Sequence, residues 1–393
     1  MINTISVLGS TGSVGVKSLE VAQKLGIKIF ALSAGRNISL LEKQISLFSP
    51  KFVCVELFED AKKLSYRFKN IKFLFGTKGL QEISTLIEPE IVVNSVSGFE
   101  GIFPAFSAIN AGKTLALANK ESIVSSGSVL TKLARDKGTK ILPLDSEHNA
   151  IWQCLQTNLK TESVVPGISV KNVKKLILTA SGGPFLGMKC SELENVTPEE
   201  AVKHPVWNMG AKISVDSATM VNKGLEIIEA AYLFDIDPFK IDVTIHTECV
   251  IHSMVEFNDN SVLAQMANAD MKSPIFYALA YPKRIQNNTK PLDFSNLNSL
   301  SFRKPENSIL NLCRKAAILG NASTCAISAS NEMAVNAFLQ KKIKFLDIET
   351  VIDYAMAKCK FKNAETLEEI IKIDSESRSI AKEKIEEISK NEF

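Results

Sequence analysis

The chain has 393 residues, 45% of them hydrophobic and 23% charged, a length beyond one compact core and a composition typical of a soluble globular protein of two or three domains. Its 46 basic and 43 acidic side chains leave a net charge of only +3, with the basic residues scattered, so neither nucleic acid nor a membrane surface is an expected partner. No apolar run reaches the roughly 18 residues of a membrane span, Met1 leads straight into ISVLG without room for a signal peptide, and seven cysteines without CxxC spacing argue for a reducing cytoplasm rather than a disulfide framework or structural zinc.

In chain order, short apolar runs occupy residues 4–8, 27–33, 52–55, 90–93, 114–118 and 140–144, and helical patterns such as VGVKSLEVAQKLG and ISLLEKQISLF separate most of them. Strand alternating with helix predicts a parallel, doubly wound sheet covered on both faces. The segment FPAFSAINAGKT reads as a helix stopped at Gly112. After residue 150 the rhythm changes. VKKLILTA, DVTIHTECVIHSMVEF and SVLAQMA suggest a second sheet, with a hairpin turn at Asp259-Asn260. Residues 282–307, rich in Pro, Asn, Ser and Lys, read as a linker, and helical patterns dominate from Ser308 onward. The expected α/β organisation is a Rossmann-like doubly wound domain over 1–150, a central α+β catalytic domain with a mixed sheet over 151–281, the linker, and a C-terminal helical bundle over 308–393.

GSTGSVG, Gly9 to Gly15, follows the first strand and opens the first helix, where glycines let the backbone approach a pyrophosphate seated on the helix N-terminus. The spacing is GxxGxxG rather than GxGxxG, so the context carries more of the signal than the motif does. The second strand ends FALSAGRN, with Gly35, Arg36 and Asn37 where an NAD-selective site usually offers an acid. That favours NADPH, although Arg36 read alone is equally a solvated surface charge.

LPLDSEHNAIWQ ends an aliphatic run with Asp145 and Glu147. In extended chain these two face the same way, with Ser146 opposite unless the chain turns, and two carboxylates aimed together either share a proton or hold a divalent cation. A further oxygen ligand is sought in SVDSATMVNKGLEIIEAAYLF, which reads as a helix from Thr219 with Glu226 and Glu229 on one face. Ser217, Asn222 and Lys223 nearby, and Ser181 in TASGGPF, are donors that suit a phosphate group, or else an ordinary loop and a surface lysine. His246 and His252 read as packing or hydrogen-bonding residues, and His148 as support for the carboxylates or the helix start. His204, with Trp207 and Met209 in KHPVWNMG, lies in a loop able to close over a substrate. No cysteine has an activating context.

GSTGSVG, LANKES, LPLDSEHNAIWQ, SGGPF, HPVWNMG, KISVDSATMVNKGLE and ADMKSPI together closely resemble the 1-deoxy-D-xylulose 5-phosphate reductoisomerase family, bacterial in type, in family order and over essentially the whole chain. The resemblance implies rearrangement of 1-deoxy-D-xylulose 5-phosphate, a small sugar phosphate, and NADPH reduction to 2-C-methyl-D-erythritol 4-phosphate, a step of non-mevalonate isoprenoid synthesis. It implies a metal site of Asp145, Glu147 and Glu226 for Mg²⁺, Mn²⁺ or Co²⁺. Lys120 and Ser146 then contact substrate hydroxyls, Ser181, Ser217, Asn222 and Lys223 take the phosphate, His204, Trp207 and Met209 form a lid, and Met271 lines the pocket. Thr11, Gly12, Ser13, Val14, Gly35, Arg36, Asn37, Asn119, Glu121 and Gly210 serve NADPH. A cytoplasmic homodimer is implied as well. Two positions depart from the family pattern, Arg36 where Lys is frequent and Ala269 where Pro is frequent. The rival readings are a thiol-dependent semialdehyde-type NADPH reductase and a non-catalytic NADPH-sensing protein.

Overall fold

Strand and helix alternate through the first 155 residues: β1 (Thr4–Leu8), α1 (Ser13–Lys24), β2 (Lys28–Ala34), α2 (Ile38–Phe48), β3 (Phe52–Val55), α3 (Phe58–Arg67), β4 (Lys72–Phe75), α4 (Gly76–Ser84), β5 (Ile91–Asn94), α5 (Ile102–Asn110), β6 (Thr114–Leu117), α6 (Lys120–Lys137), β7 (Ile141–Pro143) and α7 (Ser146–Leu155). There follow β8 (Val173–Ala180), α8 (Cys190–Leu193), α9 (Pro198–Ala201), α10 (Ala211–Ala218), α11 (Val221–Phe234), β9 (Ile241–Ile245), β10 (Ile251–Phe257), β11 (Val262–Met266) and α12 (Lys272–Ala280), then α13 (Ser308–Leu319), α14 (Asn321–Leu339), α15 (Asp347–Lys358) and α16 (Leu367–Glu392). The structure is a computed structural model and describes all residues except 1, 157–165, 167, 169, 208, 298, 306–307 and 393. Two contact units divide it, one of Met1–Ser122, Leu130–Ile168 and Asp270–Pro291, the other of Ile123–Val129, Ser169–Ala269 and Leu292–Phe393.

The first unit is built on a seven-stranded sheet, order β4-β3-β2-β1-β5-β6-β7, with every pair parallel. From β1 the chain winds outward to β4, then returns to β1's other side with β5. In doubly wound sheets, ligands bind at such a reversal, beyond the carboxyl ends of the strands. The strands carry continuous apolar runs because helices cover both faces; Ile91, Val92 and Val93 of β5 are all buried. The edge strand β4, KFLF, was not anticipated, since a short half-exposed edge has no buried run to betray it. Behind the sheet, the fully buried Trp152 of α7 meets Tyr277 and Tyr281, each with ring centroids 4.8 Å away, so the returning α12 packs on α7.

The second unit contains a mixed sheet, order β11-β10-β8-β9, in which β8 and β9 are parallel and the other pairs antiparallel. VKKLILTA forms β8 as expected. The alternating stretch 242–257 supplies two strands of that sheet, β9 and β10. His246 Nε2 accepts the backbone N–H of Val250 and Ile251 at 3.3 and 3.2 Å, and Cys249 turns the chain at φ +51°. With Nε2 accepting, Nδ1 carries the proton and donates to the Ser301 carbonyl at 3.1 Å, the hydrogen-bonding role expected of this histidine. Asp259-Asn260 does make the hairpin, with Asn260 at φ +65° and Phe257 N–H bonded to the Ser261 carbonyl at 2.9 Å. Ile245 bridges Arg303, pinning the irregular stretch before α13 to the end of β9. Helices α13–α16 complete this unit, and no helix of the described residues is long and apolar enough to cross a membrane.

Candidate functional site

In the first unit, Gly9 N–H donates to Ser33 Oγ at 3.0 Å and Ser10 N–H to the Ser33 carbonyl at 2.8 Å. Ser10 and Gln44 exchange two further bonds of 2.7 and 2.8 Å. The base of the glycine-rich loop is thus clamped to β2 and α2, while Gly12 and Ser13 are exposed and Thr11 and Val14 partly so. Helix α1 starts after Gly12 with no side-chain cap and no acid in its first turn, so its free N–H groups and positive dipole end are available to an anion. A Cβ on Gly15 would lie 2.2 Å from the Gly9 carbonyl oxygen, so only glycine permits this turn. That cradle fits a pyrophosphate.

At the end of β2, Asn37 caps α2, its Oδ1 accepting from Leu40 N–H at 3.3 Å. Arg36 pairs with Glu56, with Nε and Nη2 each 3.4 Å from a carboxylate oxygen. The second strand itself ends without an acid; this one arrives from the neighbouring strand β3, whose Val55 lies opposite Ala34. Asn119 caps α6 through Ser122 N–H at 2.9 Å and donates to the Gly98 carbonyl and to Glu121 Oε2 at 2.9 and 3.1 Å, so these two candidates are buried together. Between them in sequence, the buried Lys120 sets Nζ 3.1 Å from Asp145 Oδ2.

The expected extended display of Asp145 and Glu147 is corrected by the structure. Strand β7 stops at Pro143, and Asp145 is the N-cap of α7, its Oδ1 accepting from Glu147 N–H at 3.1 Å and His148 N–H at 3.4 Å. An aspartate that can satisfy the first orphan donors starts a helix there, so alternation gives way to helical pitch. Ser146 does not face away: its hydroxyl donates to Glu147 Oε2 at 2.5 Å. His148, fully buried, places Nδ1 2.9 Å from Asp145 Oδ1, the supporting role expected of it. Met271 stands partly buried at the start of α12.

In the second unit, Ser181 follows β8. Val206 and Trp207 N–H both donate to His204 Nδ1, at 3.1 and 2.9 Å, so Nε2 carries the proton and donates to Ser181 Oγ at 2.8 Å. Gly183 N–H adds a second donor to that oxygen at 3.3 Å. With two donors accepted, the serine keeps its own proton for another partner. Burial pulls the His204 pKa below its ordinary value, favouring the neutral ring this arrangement needs. Trp207 and His252 have ring centroids 6.3 Å apart, and burial lowers the His252 pKa too. Met209 is partly exposed, and Gly210 caps α10.

Gly183 sits at φ +70°, and a Cβ on it would lie 2.9 Å from the Ser217 carbonyl oxygen, so the serine turn and the end of α10 meet backbone to backbone. Met220 at φ +64° then breaks the chain, and α11 starts at Val221 rather than at Thr219. Glu226 accepts from Asn222 Nδ2 at 2.5 Å and pairs with Lys223 Nζ; Lys223 is only 4% exposed and Glu226 1%, so Lys223 is no surface lysine. Burying such groups is costly without compensation. Carboxylates held by ammonium and amide donors are hard oxygen ligands, which suit a divalent cation of the magnesium kind.

Burial raises the thiol pKa of Cys54 to about 12, of Cys154 to about 11 and of Cys313 to about 12, and raises those of Cys325 and Cys359 as well. None of these five is an activated nucleophile, which removes support from the thiol-dependent reductase.

Residues 5–127 match the family model described as 1-deoxy-D-xylulose 5-phosphate reductoisomerase, residues 141–234 that of its C-terminal domain, and residues 266–380 that of the DXP reductoisomerase C-terminal domain. A 1-deoxy-D-xylulose 5-phosphate reductoisomerase from Ruminiclostridium cellulolyticum is 44% identical over 98% of this chain and 100% of its own length, and one from Agathobacter rectalis 46% identical over 93% and 96%. Among solved structures, a DOX-P reductoisomerase in complex with NADPH, fosmidomycin and magnesium aligns at a TM-score of 0.93 with 39% identity over 98% of both chains. The Zymomonas mobilis reductoisomerase in complex with NADPH aligns at 0.89 with 37% identity over 98% of this chain and 100% of that one.

Proposed function

The chain belongs to the 1-deoxy-D-xylulose 5-phosphate reductoisomerase family, and on that premise we propose that it rearranges 1-deoxy-D-xylulose 5-phosphate and reduces the product to 2-C-methyl-D-erythritol 4-phosphate. It is an NADPH-dependent, metal-dependent oxidoreductase. The reading is carried by the likeness to reductoisomerases over the whole chain; this chain's uncapped glycine-rich helix start and its carboxylates held by ammonium and amide donors support it.

Asp145, Glu147 and Glu226 hold the cation in this proposal. When bound, the cation supplies Lewis-acid stabilisation of charge on the substrate's oxygens, and NADPH supplies the hydride. The remaining work falls to the side chains. Lys120 and Ser146 orient the substrate hydroxyls, with Lys120 kept in place by Asp145. Ser181 gives its proton to the substrate phosphate while His204 and Gly183 N–H fix its oxygen, and Ser217, Asn222 and Lys223 complete that clamp. His204, Trp207 and Met209 close over the substrate and exclude water, and Met271 lines the pocket. Thr11, Gly12, Ser13 and Val14 take the pyrophosphate and Gly35, Arg36 and Asn37 the 2′-phosphate side of the cofactor, with Asn119, Glu121 and Gly210 also facing NADPH.

The proposal extends to Mn²⁺ and Co²⁺ as alternatives to Mg²⁺, to a homodimer in the cytoplasm, and to function without nucleic acid or membrane. It also includes the division of labour among residues 1–150, 151–281, 282–307 and 308–393. Following NADPH absorbance with 1-deoxy-D-xylulose 5-phosphate and Mg²⁺, Mn²⁺ or Co²⁺, with and without EDTA, tests the chemistry. Substrate-dependent NADPH loss that EDTA abolishes and metal restores is expected; no loss with any of the ions overturns the reading.

A further inference from the structure

Strands β2 and β3 are parallel neighbours with Ala34 opposite Val55, so Gly35-Arg36 and Glu56 emerge side by side at the carboxyl edge of the sheet. In Rossmann-type folds this edge receives the adenosine ribose, and NAD-selective members present an acid there from the second strand. Here the second strand has glycine at that point, yet a carboxylate occupies the space. A Cβ on Gly35 would lie 3.6 Å from Glu56 Oε2, and both oxygens of Glu56 face the Arg36 guanidinium at 3.4 Å. The side chains are 86% and 46% exposed, so this is a weak, solvent-screened pair that a ligand can open. The chain therefore offers an acid and a base to one ribose edge.

We propose that Glu56 is a specificity-determining residue: its carboxylate competes with the cofactor 2′-phosphate for Arg36, and accepts from the 2′-hydroxyl when no phosphate is present. The inference rests on the NADPH reading above. A phosphate dianion displaces one carboxylate from a guanidinium, because it brings more charge and three acceptor oxygens. The displaced carboxylate nevertheless stays beside the phosphate and repels it. Glu56 thus narrows the preference for the phosphorylated cofactor that Arg36 establishes.

The test uses two fragments, 2′,5′-ADP and 5′-AMP, titrated calorimetrically into the full-length protein and its Glu56→Gln variant at low and high salt. The variant is expected to bind 2′,5′-ADP about three- to tenfold more tightly, with the gain shrinking as salt rises, and to bind 5′-AMP no more tightly than the parent. Glu387→Gln makes the same charge change in α16 and leaves both constants alone; Glu56→Ser repeats the result should the glutamine variant fold poorly. Constants for 2′,5′-ADP within about twofold at low salt, or equal tightening for both fragments, overturn the assignment of Glu56 alone. A parent protein that binds neither fragment overturns the NADPH reading, and the inference with it.

Discussion

Gly183→Ala and Gly187→Ala separate two costs that usually arrive together. Gly187 lies at φ +86° with nothing within 4 Å of the position a Cβ would take, whereas Gly183 lies at φ +70° with Ser217 O, Ala218 Cα and Ser217 C at 2.9, 3.1 and 3.2 Å from that position. Both substitutions carry the backbone penalty of a side chain at positive φ, about 1–2 kcal/mol. Gly183→Ala adds overpacking against backbone atoms that cannot rotate aside, about 1–3 kcal/mol. With roughly 2–4 °C of Tm per kcal/mol in units of this size, Gly187→Ala should lower Tm by about 2–8 °C and Gly183→Ala by about twice as much. The functional signature is sharper. Relief of the contact parts the Ser181 turn from α10, and if Ser181 and Ser217 hold one phosphate, a charge-assisted hydrogen bond of about 1.5–3 kcal/mol is lost. KM for 1-deoxy-D-xylulose 5-phosphate should then rise about 10- to 100-fold in Gly183→Ala, stay within about twofold in Gly187→Ala, and leave KM for NADPH unchanged in both. Calorimetry and steady-state kinetics measure both quantities. A Gly183→Ala enzyme with parental KM, or equal KM increases in the two variants, would refute the approach of the turn to α10 as the cause.

Acid should weaken substrate binding through His204. Burial holds its folded pKa below the ordinary value of about 6.5, so the unfolded or open form takes up the proton first; the contribution of the neutral ring is complete above about pH 6.5 and is lost as pH falls through the folded value. KM for the sugar phosphate should climb on that acid limb, and the climb should vanish in His204→Asn; a limb unchanged in the variant assigns it to the substrate phosphate instead. Asp145→Asn should lower kcat/KM at least about 100-fold with the circular dichroism spectrum intact, and parental turnover in that variant removes the carboxylate from the metal proposal. Alkylation with iodoacetamide, monitored by mass, should label the exposed Cys190 without slowing NADPH oxidation, while inactivation in step with labelling would revive the thiol-dependent reading.

The parallel sheet was legible because buried parallel strands are continuous apolar runs: residues 4–8 and 52–55 are β1 and β3 to the residue. Where one face is wet or a turn intervenes, the same signal fails. β4 was lost to its exposure, and nothing local in DVTIHTECVIHSMVEF announces that His246 will accept two backbone N–H groups between β9 and β10. The glycine-rich helix start was legible since its requirement is local. Glu56 was not, because its partner Arg36 is 20 residues away and only strand order brings the two together.

Helix α11 shows why the other half of the site resisted reading. Its pattern VNKGLEIIEAAYLF allows a polar face in solvent, and on that face Lys223 is an ordinary surface lysine. In the structure eleven of its fourteen residues are buried, Lys223, Glu226 and Glu229 among them. A helix selected for stability alone would place leucine or alanine at those positions, since replacing buried ion pairs by apolar groups is often neutral or stabilising. The left-handed Met220 at its start adds a further strain of about 1–3 kcal/mol that no packing rule requires. Charge and strain therefore fall together on one turn of one helix, where local propensity and hydrophobic pattern both argue against them. Such conflict between levels is expected where a chain gives up stability for chemistry, and it singles out the Lys223–Glu226 turn independently of any likeness to other proteins.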